Sequence, residues 1–132
     1  MVEKREVNPW TWQDAFGFAQ SIEIKGAQRT LVCAGQTSVD ADGAVLYADD
    51  IEKQCIQALD NLEAVLDKAG FKLGDVVRLN IFTTDVDAFL GAYGPVGQRL
   101  AEAGCKPAST LLGVSRLAFP GLMLEVEATA VA

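Results

Sequence analysis

The run PASTLLGVSRLAFPGLMLEVEATAVA, residues 107–132, decides the reading of the fold. It holds two β-like segments, residues 111–117 and 122–131, around a break at Ala118-Phe119-Pro120-Gly121. In the last segment Leu124, Val126 and Ala128 alternate with Glu125, Glu127 and Thr129. That is the period of a strand with one face toward apolar packing, so the two carboxylates point together to the other side. A polar row this close to an apolar run makes the strand a candidate site wall.

Working back, Val77, Leu79 and Ile81 alternate with Arg78 and Asn80 in the β-rich stretch 76–83, which predicts a central strand holding Arg78 on a defined face. Between these strands, Asp85 or Asp87 opens a helix expected to reach about residue 103 before Gly104. Its propensity is poor: Gly91, Gly94 and Gly97 recur every three residues, and Gly94-Pro95 can split it. No Lys-Ser/Thr follows the glycines, so they are not a phosphate loop; close packing on a neighbour is their expected use.

The clearest helix spans about residues 50–69. Ile51, Cys55, Leu59, Leu62 and Leu66 step by three or four, Asp49 or Asp50 serves as N-cap, and Gly70 suits a left-handed C-terminal cap. Earlier, residues 20–25 and 30–34 read as strands separated by a hairpin-length break at Gly26-Ala27-Gln28, and Asp42-Gly43 is the strongest short turn signal. Both tryptophans, Trp10 and Trp12, lie in an N-terminal segment without regular period; it packs as an arm or forms an aromatic wall.

A chain of 132 residues suits one domain, residues 1–132, and half of it is hydrophobic, enough for a core. The expected architecture is α+β: one mostly antiparallel sheet with two helices on one face. The other face is then bare and needs cover, most simply from another subunit, so patterning predicts an oligomer.

Net charge is −7 with no basic cluster, which disfavours a nucleic-acid partner. No apolar segment approaches the ~20 residues of a membrane helix, and the N-terminus lacks a secretory core, so a soluble, cytoplasmic protein is expected. Three cysteines without a CxxC spacing argue against a disulfide framework and a zinc site, and no metal is expected; Cys105, beside Gly104, is the one that could be exposed. Histidine is absent, so Ser–His and Cys–His mechanisms are out, and chemistry falls to carboxylates, amides, hydroxyls or an Arg.

Several blocks then coincide in order and spacing: Ala34-Gly35-Gln36, Leu59-Asp60-Asn61-Leu62, Ala69-Gly70, Gly74-Asp75-Val76-Val77, Pro107-Ala108 and Glu125-Val126-Glu127-Ala128. Together they resemble the Rid/YjgF family, also called the L-PSP endoribonuclease family, over roughly residues 16–131. The resemblance implies a homotrimer of chorismate-mutase-like fold, with the sheets as an inner barrel and a small-molecule cleft between subunits. The best-characterised branch hydrolyses imines and enamines to a 2-oxo acid and ammonia without metal or cofactor.

Carried over position by position, Glu125 matches the final-strand Glu that positions water, and Gly35 the glycine whose backbone contacts ligand. Arg78 stands where that branch has Lys, and Tyr93 near a position that is often Asn. Phe18 replaces a Tyr. The motif Pro-Ala-Arg-Ser reads Pro107-Ala108-Ser109-Thr110 here, so Ser109 replaces the Arg that binds the substrate carboxylate. Losing such a charge-assisted bond costs roughly 2–4 kcal/mol, about 30- to 1000-fold in binding. Arg78 or Arg116 would have to substitute; otherwise Ser109, Thr110 and Glu125 point to a smaller, neutral or polar ligand. The readings that follow are a Glu125-assisted C–N hydrolase, a non-catalytic metabolite- or protein-binding trimer, and, weakest for an acidic chain without histidine, a ribonuclease.

Overall fold

The computed structural model describes residues 1–132. In chain order the strands are β1 (Glu3–Glu6), β2 (Ile22–Lys25), β3 (Thr30–Val32), β4 (Gln36–Thr37), β5 (Val76–Thr83), β6 (Ala108–Gly113) and β7 (Leu124–Val131). The helices are α1 (Ile51–Ala69), α2 (Val86–Gly91) and α3 (Tyr93–Glu102), and one 3-10 turn at Trp12–Phe16 follows β1. No helix is long and apolar enough to cross a membrane.

β7 is the hub. It pairs antiparallel with β3 and β4 along one edge and with β5 along the other, and β5 in turn pairs with β6 in parallel. The parallel β6 is the edge strand. Leu124, Val126, Ala128 and Ala130 of β7 are buried in one core with Leu79 and Ile81 of β5, as the alternation required. The same core takes Leu59, Leu62 and Leu66 of α1, Phe89 of α2 and Val96 and Leu100 of α3, so all three helices cover one face of the sheet. The opposite face is bare: Val32 is 78% exposed and Leu112 50%, and Arg78, Asn80, Glu125 and Glu127 stand on it.

The local rules explain most of this. Asp50 caps α1 by accepting from the Lys53 amide at 3.2 Å, and Gly70 ends it at φ 78. Asp40 accepts from the amides of Asp42 and Ala44, shaping the predicted turn, although only one bridge, Val39 to Val45, flanks it.

Four expectations need correction. The architecture is α+β, but a two-stranded ribbon β1–β2 stands apart from a five-stranded mixed sheet, so there is more than one mostly antiparallel sheet. There are three helices on the sheet, because the expected second helix breaks at Ala92; Pro95 then falls in the first turn of α3, where its missing amide has no partner to lose. β2 and β3 do not form a hairpin: β2 pairs with β1, and β3 with β7. The glycine series does not mediate close packing within the chain, since a Cβ at Gly91 or Gly94 would meet nothing, and one at Gly97 would meet only the Tyr93 ring of its own helix.

Candidate functional site

A cavity of about 260 Å³ opens on the helix side of the sheet, between β6, α2, α3 and the N-terminal segment. Ten of its thirteen lining residues are hydrophobic, and none is charged. Phe18, Phe89 and Tyr93 form much of its wall, with Trp12 and Phe16 at the rim, 57% and 53% exposed. Trp12 packs edge-on against Phe16 and Phe18, at centroid distances of 6.3 and 5.7 Å, and Tyr93 packs edge-on against Phe89 at 5.9 Å.

This wall is held from outside. The Ala19 amide donates to the Pro107 carbonyl at 2.9 Å, which ties the N-terminal segment to the head of β6. Lys106 pairs with Asp14 at 2.8 Å and Glu6 at 3.2 Å. The Tyr93 hydroxyl donates to the Phe16 carbonyl at 2.7 Å, and burial raises its pKa. Ser109 lines the cavity too, and its hydroxyl donates to the Leu79 carbonyl at 2.8 Å.

The bare face carries the polar row. Arg78 donates to the Thr110 hydroxyl at 2.8 Å, and Asn80 donates to Glu127 at 3.0 Å. The Asn80 side-chain oxygen is buried without a partner. Glu125 is half-buried and opposite Phe82 and Thr37 in the ladder. Burial, and then the neighbouring Glu127 charge, push its carboxyl above the ordinary value. Its side chain lies on Gly35: a Cβ there would come within 2.6 Å of the Glu125 Cδ. Only a residue without a side chain leaves this room.

A family model described as Endoribonuclease L-PSP matches residues 13–132. The chain belongs to this family, Rid/YjgF. It is 33% identical over 103 residues to a 2-iminobutanoate/2-iminopropanoate deaminase of Salmonella typhimurium, covering 76% of this chain and 78% of that one. It is 31% identical over 113 residues to a RutC family protein of Pyrococcus horikoshii, covering 86% and 85%. Among solved structures, a conserved Rid-family protein of unknown function from Yersinia pestis superposes with a TM-score of 0.87 at 36% identity, covering 98% of both chains. The three helices and mixed sheet therefore match Rid structures.

The Rid-derived candidates fall into two groups on opposite faces of one sheet. Phe18, Tyr93 and Ser109 meet at the aromatic cavity on the helix side. Gly35, Arg78, Thr110 and Glu125 stand on the bare face, because Thr110 pairs with Asn80 while Ser109 pairs with the buried Leu79. Arg116 lies elsewhere, in a separate depression with Thr84 and Phe119, so neither it nor Arg78 lines the aromatic cavity. Sequence reasoning left Trp12 open between arm and wall; it is wall, whereas Trp10 lines neither depression. It missed Phe16, whose aperiodic segment gives no pattern to read. Cys105, which could have been exposed, is buried, with its thiol pushed up to about 12 by burial.

Proposed function

We propose that the chain works as a Rid-type homotrimer of chorismate-mutase-like fold, its sheets forming an inner barrel, and that clefts between subunits hydrolyse an imine, an enamine or a related small C–N compound. The observation that carries this reading is the division of the site candidates over two faces of one sheet. One copy cannot fold its own sheet to bring Glu125 to its own cavity. A neighbour whose bare face abuts the edge strand β6 can, and it would cover the exposed Val32 and Leu112 as well.

In this cleft the Glu125 carboxylate takes a proton from water as the water oxygen bonds to the C=N carbon and the π pair moves to nitrogen. Return of that proton to nitrogen gives a neutral carbinolamine. The carboxylate then takes the hydroxyl proton and passes it to nitrogen as the C=O forms, and the C–N bond breaks with its pair going to nitrogen, releasing a carbonyl compound and ammonia. A raised carboxyl pKa makes Glu125 a stronger base than an exposed Glu. No metal or bound cofactor is called upon. The name of the Salmonella relative, an imine deaminase, supports the reaction class. The net charge of −7 supports a protein without a nucleic-acid partner.

The test is ammonia release from imines and enamines generated in situ. Glu125→Gln should lose about 100-fold or more, the usual contribution of a general base. Undiminished turnover in that variant would overturn the role. A second reading, a trimer that binds a metabolite or protein without turnover, is favoured by the Ser109 hydroxyl being committed to the Leu79 carbonyl where the family has Arg. It predicts thermal stabilisation by ligand with no ammonia from any member of the panel. Ribonuclease activity is the weakest reading, and it should separate from the protein peak on purification.

A further inference from the structure

The lining of the aromatic cavity specifies its ligand more closely than the reaction class does. About 150 Å³ of dry apolar space accepts a benzene ring, and drug-sized pockets begin near 300 Å³. A cavity of about 260 Å³ thus has room for one ring and a short substituent. Its walls supply the partners a ring prefers, the edges and faces of Phe18, Phe89 and Tyr93.

The polar groups are selective in another way. Ser109 and Tyr93 have both spent their protons on backbone carbonyls, those of Leu79 and Phe16. Their oxygens can therefore only accept from a ligand. Among the lining side chains, only the Trp12 indole, half exposed at the rim, has an N–H left to donate. A carboxylate, which only accepts, would be desolvated here with no cation from the cavity's own walls and, among their side chains, at most one neutral donor, while the Arg78 that a neighbouring bare face would bring is turned to its own Thr110. A ligand N–H, by contrast, meets two waiting acceptors.

Resting on the proposed hydrolase cleft, we propose that this cavity takes an uncharged aromatic ligand bearing an N–H donor, its ring between Phe18, Phe89 and Tyr93, and that 2-imino acids are not its ligands. The neutral ligand expected from Ser109 is thereby kept, but as an aromatic rather than a small polar one.

Phenylacetamide and phenylacetate have the same ring and size and differ in donating an N–H or carrying a charge. Calorimetry on the full-length protein at pH 7.5 should show saturable binding of phenylacetamide, with phenylacetate at least tenfold weaker, about 1.4 kcal/mol. Propionamide, which lacks the ring, should be weaker still. Ser109→Arg, which places a guanidinium in the cavity, should reverse the preference; Leu111→Lys does the same from the next cavity-facing position of β6 if the first variant fails to fold. Phenylacetate binding equal to or tighter than phenylacetamide in the wild type, propionamide binding as well as phenylacetamide, or no binding of the amide would each overturn the inference. Binding of the amide without ammonia release from any imine would instead sink the hydrolase reading alone. Turnover of carboxylate-bearing imines by a protein indifferent to phenylacetamide would sink the ligand class alone.

Discussion

Gly35→Ala isolates the contact on which the bare-face site depends. The φ of Gly35 is not in the left-handed region, so an alanine fits the backbone there without strain. Taken alone, the exchange should stabilise by about 0.4–1 kcal/mol through the unfolded chain. The folded chain opposes it: the new Cβ would stand 2.6 Å from Cδ and 2.9 Å from Cγ of Glu125, well inside contact distance. Glu125, a half-buried side chain with solvent on one side, must swing away from Gly35, at a rotamer cost of about 0.5–1.5 kcal/mol. Gly35→Ala should therefore be near neutral in the wild type and stabilise in a Glu125→Ala background. Urea unfolding of the four proteins, at one protomer concentration and pH 7, closes a double-mutant cycle. The coupling should be about 0.5–1.5 kcal/mol, the cost of displacing Glu125. Additive effects within about 0.5 kcal/mol would refute the packing of Glu125 on Gly35.

Gln54 is fully buried and bridges two loops, donating to the carbonyls of Tyr47 and Gly121 at 2.9 and 2.7 Å and accepting from the Met123 amide at 2.8 Å. The two carbonyls also accept from the Asp50 and Asp49 amides, so Gln54→Met keeps the volume and strands only the Met123 amide; it should cost about 1–3 kcal/mol by urea unfolding, and no loss would show the bridge to be dispensable. Burial pushes the thiols of Cys55 and Cys105 up to about 11 and about 12, so neither should react with iodoacetamide at pH 8 until the protein is unfolded; rapid labelling of the native protein would contradict their burial. Glu125, with a carboxyl raised above its ordinary 4.5, should give turnover an acidic limb above that pH, and Glu127→Gln should move the limb down by removing the neighbouring charge. For stability the sign is opposite. The folded state holds the Glu125 proton more readily than the unfolded one, so its contribution is full at low pH and lost as pH rises through the folded value. Glu125→Gln should then be the more stable protein at pH 7, an advantage that fades below the ordinary carboxyl range; an advantage that grows on acidification would contradict the shift.

Helix α1 and strand β7 were legible because their signals are local. Ile51, Cys55, Leu59, Leu62 and Leu66 mark one face, Asp50 and Gly70 mark the ends, and the β7 alternation places Glu125 and Glu127 opposite the core. Strand β1 was not legible: Glu3-Lys4-Arg5-Glu6 is exposed throughout and has no apolar period, and it becomes a strand by pairing with β2 and through the Arg5–Glu23 ion pair at 3.1 Å. The β2–β3 break looked like a hairpin because turn chemistry is local, whereas the choice of partner is not. β3 pairs instead with residues 129–131 of β7, on the edge that β4 continues.

The site was legible as a set of residues but not as a geometry. Ser109 and Thr110 are neighbours in sequence and sit on opposite faces, and which one faces the cavity depends on the parallel register of β6 on β5. That register is fixed by residues some thirty positions away, beyond the reach of local pattern. The aromatic rim was hidden for a related reason. Trp12 and Phe16 gain their meaning from Phe18, Pro107 and Tyr93, which lie along the whole chain.

The central claim, that Glu125 of one copy serves the cavity of another, is tested most directly by mixing two inactive variants. Glu125→Gln removes the base and Leu111→Trp fills the cavity. Each protein alone should release about a hundredth or less of the ammonia that the wild type releases from an imine it hydrolyses. Denatured together and refolded at equal amounts, they should recover about a quarter of wild-type activity, since random assembly joins an intact Glu125 to an intact cavity in that share of clefts. No recovery in oligomers shown to contain both chains would contradict the account and place the base and the cavity within one subunit.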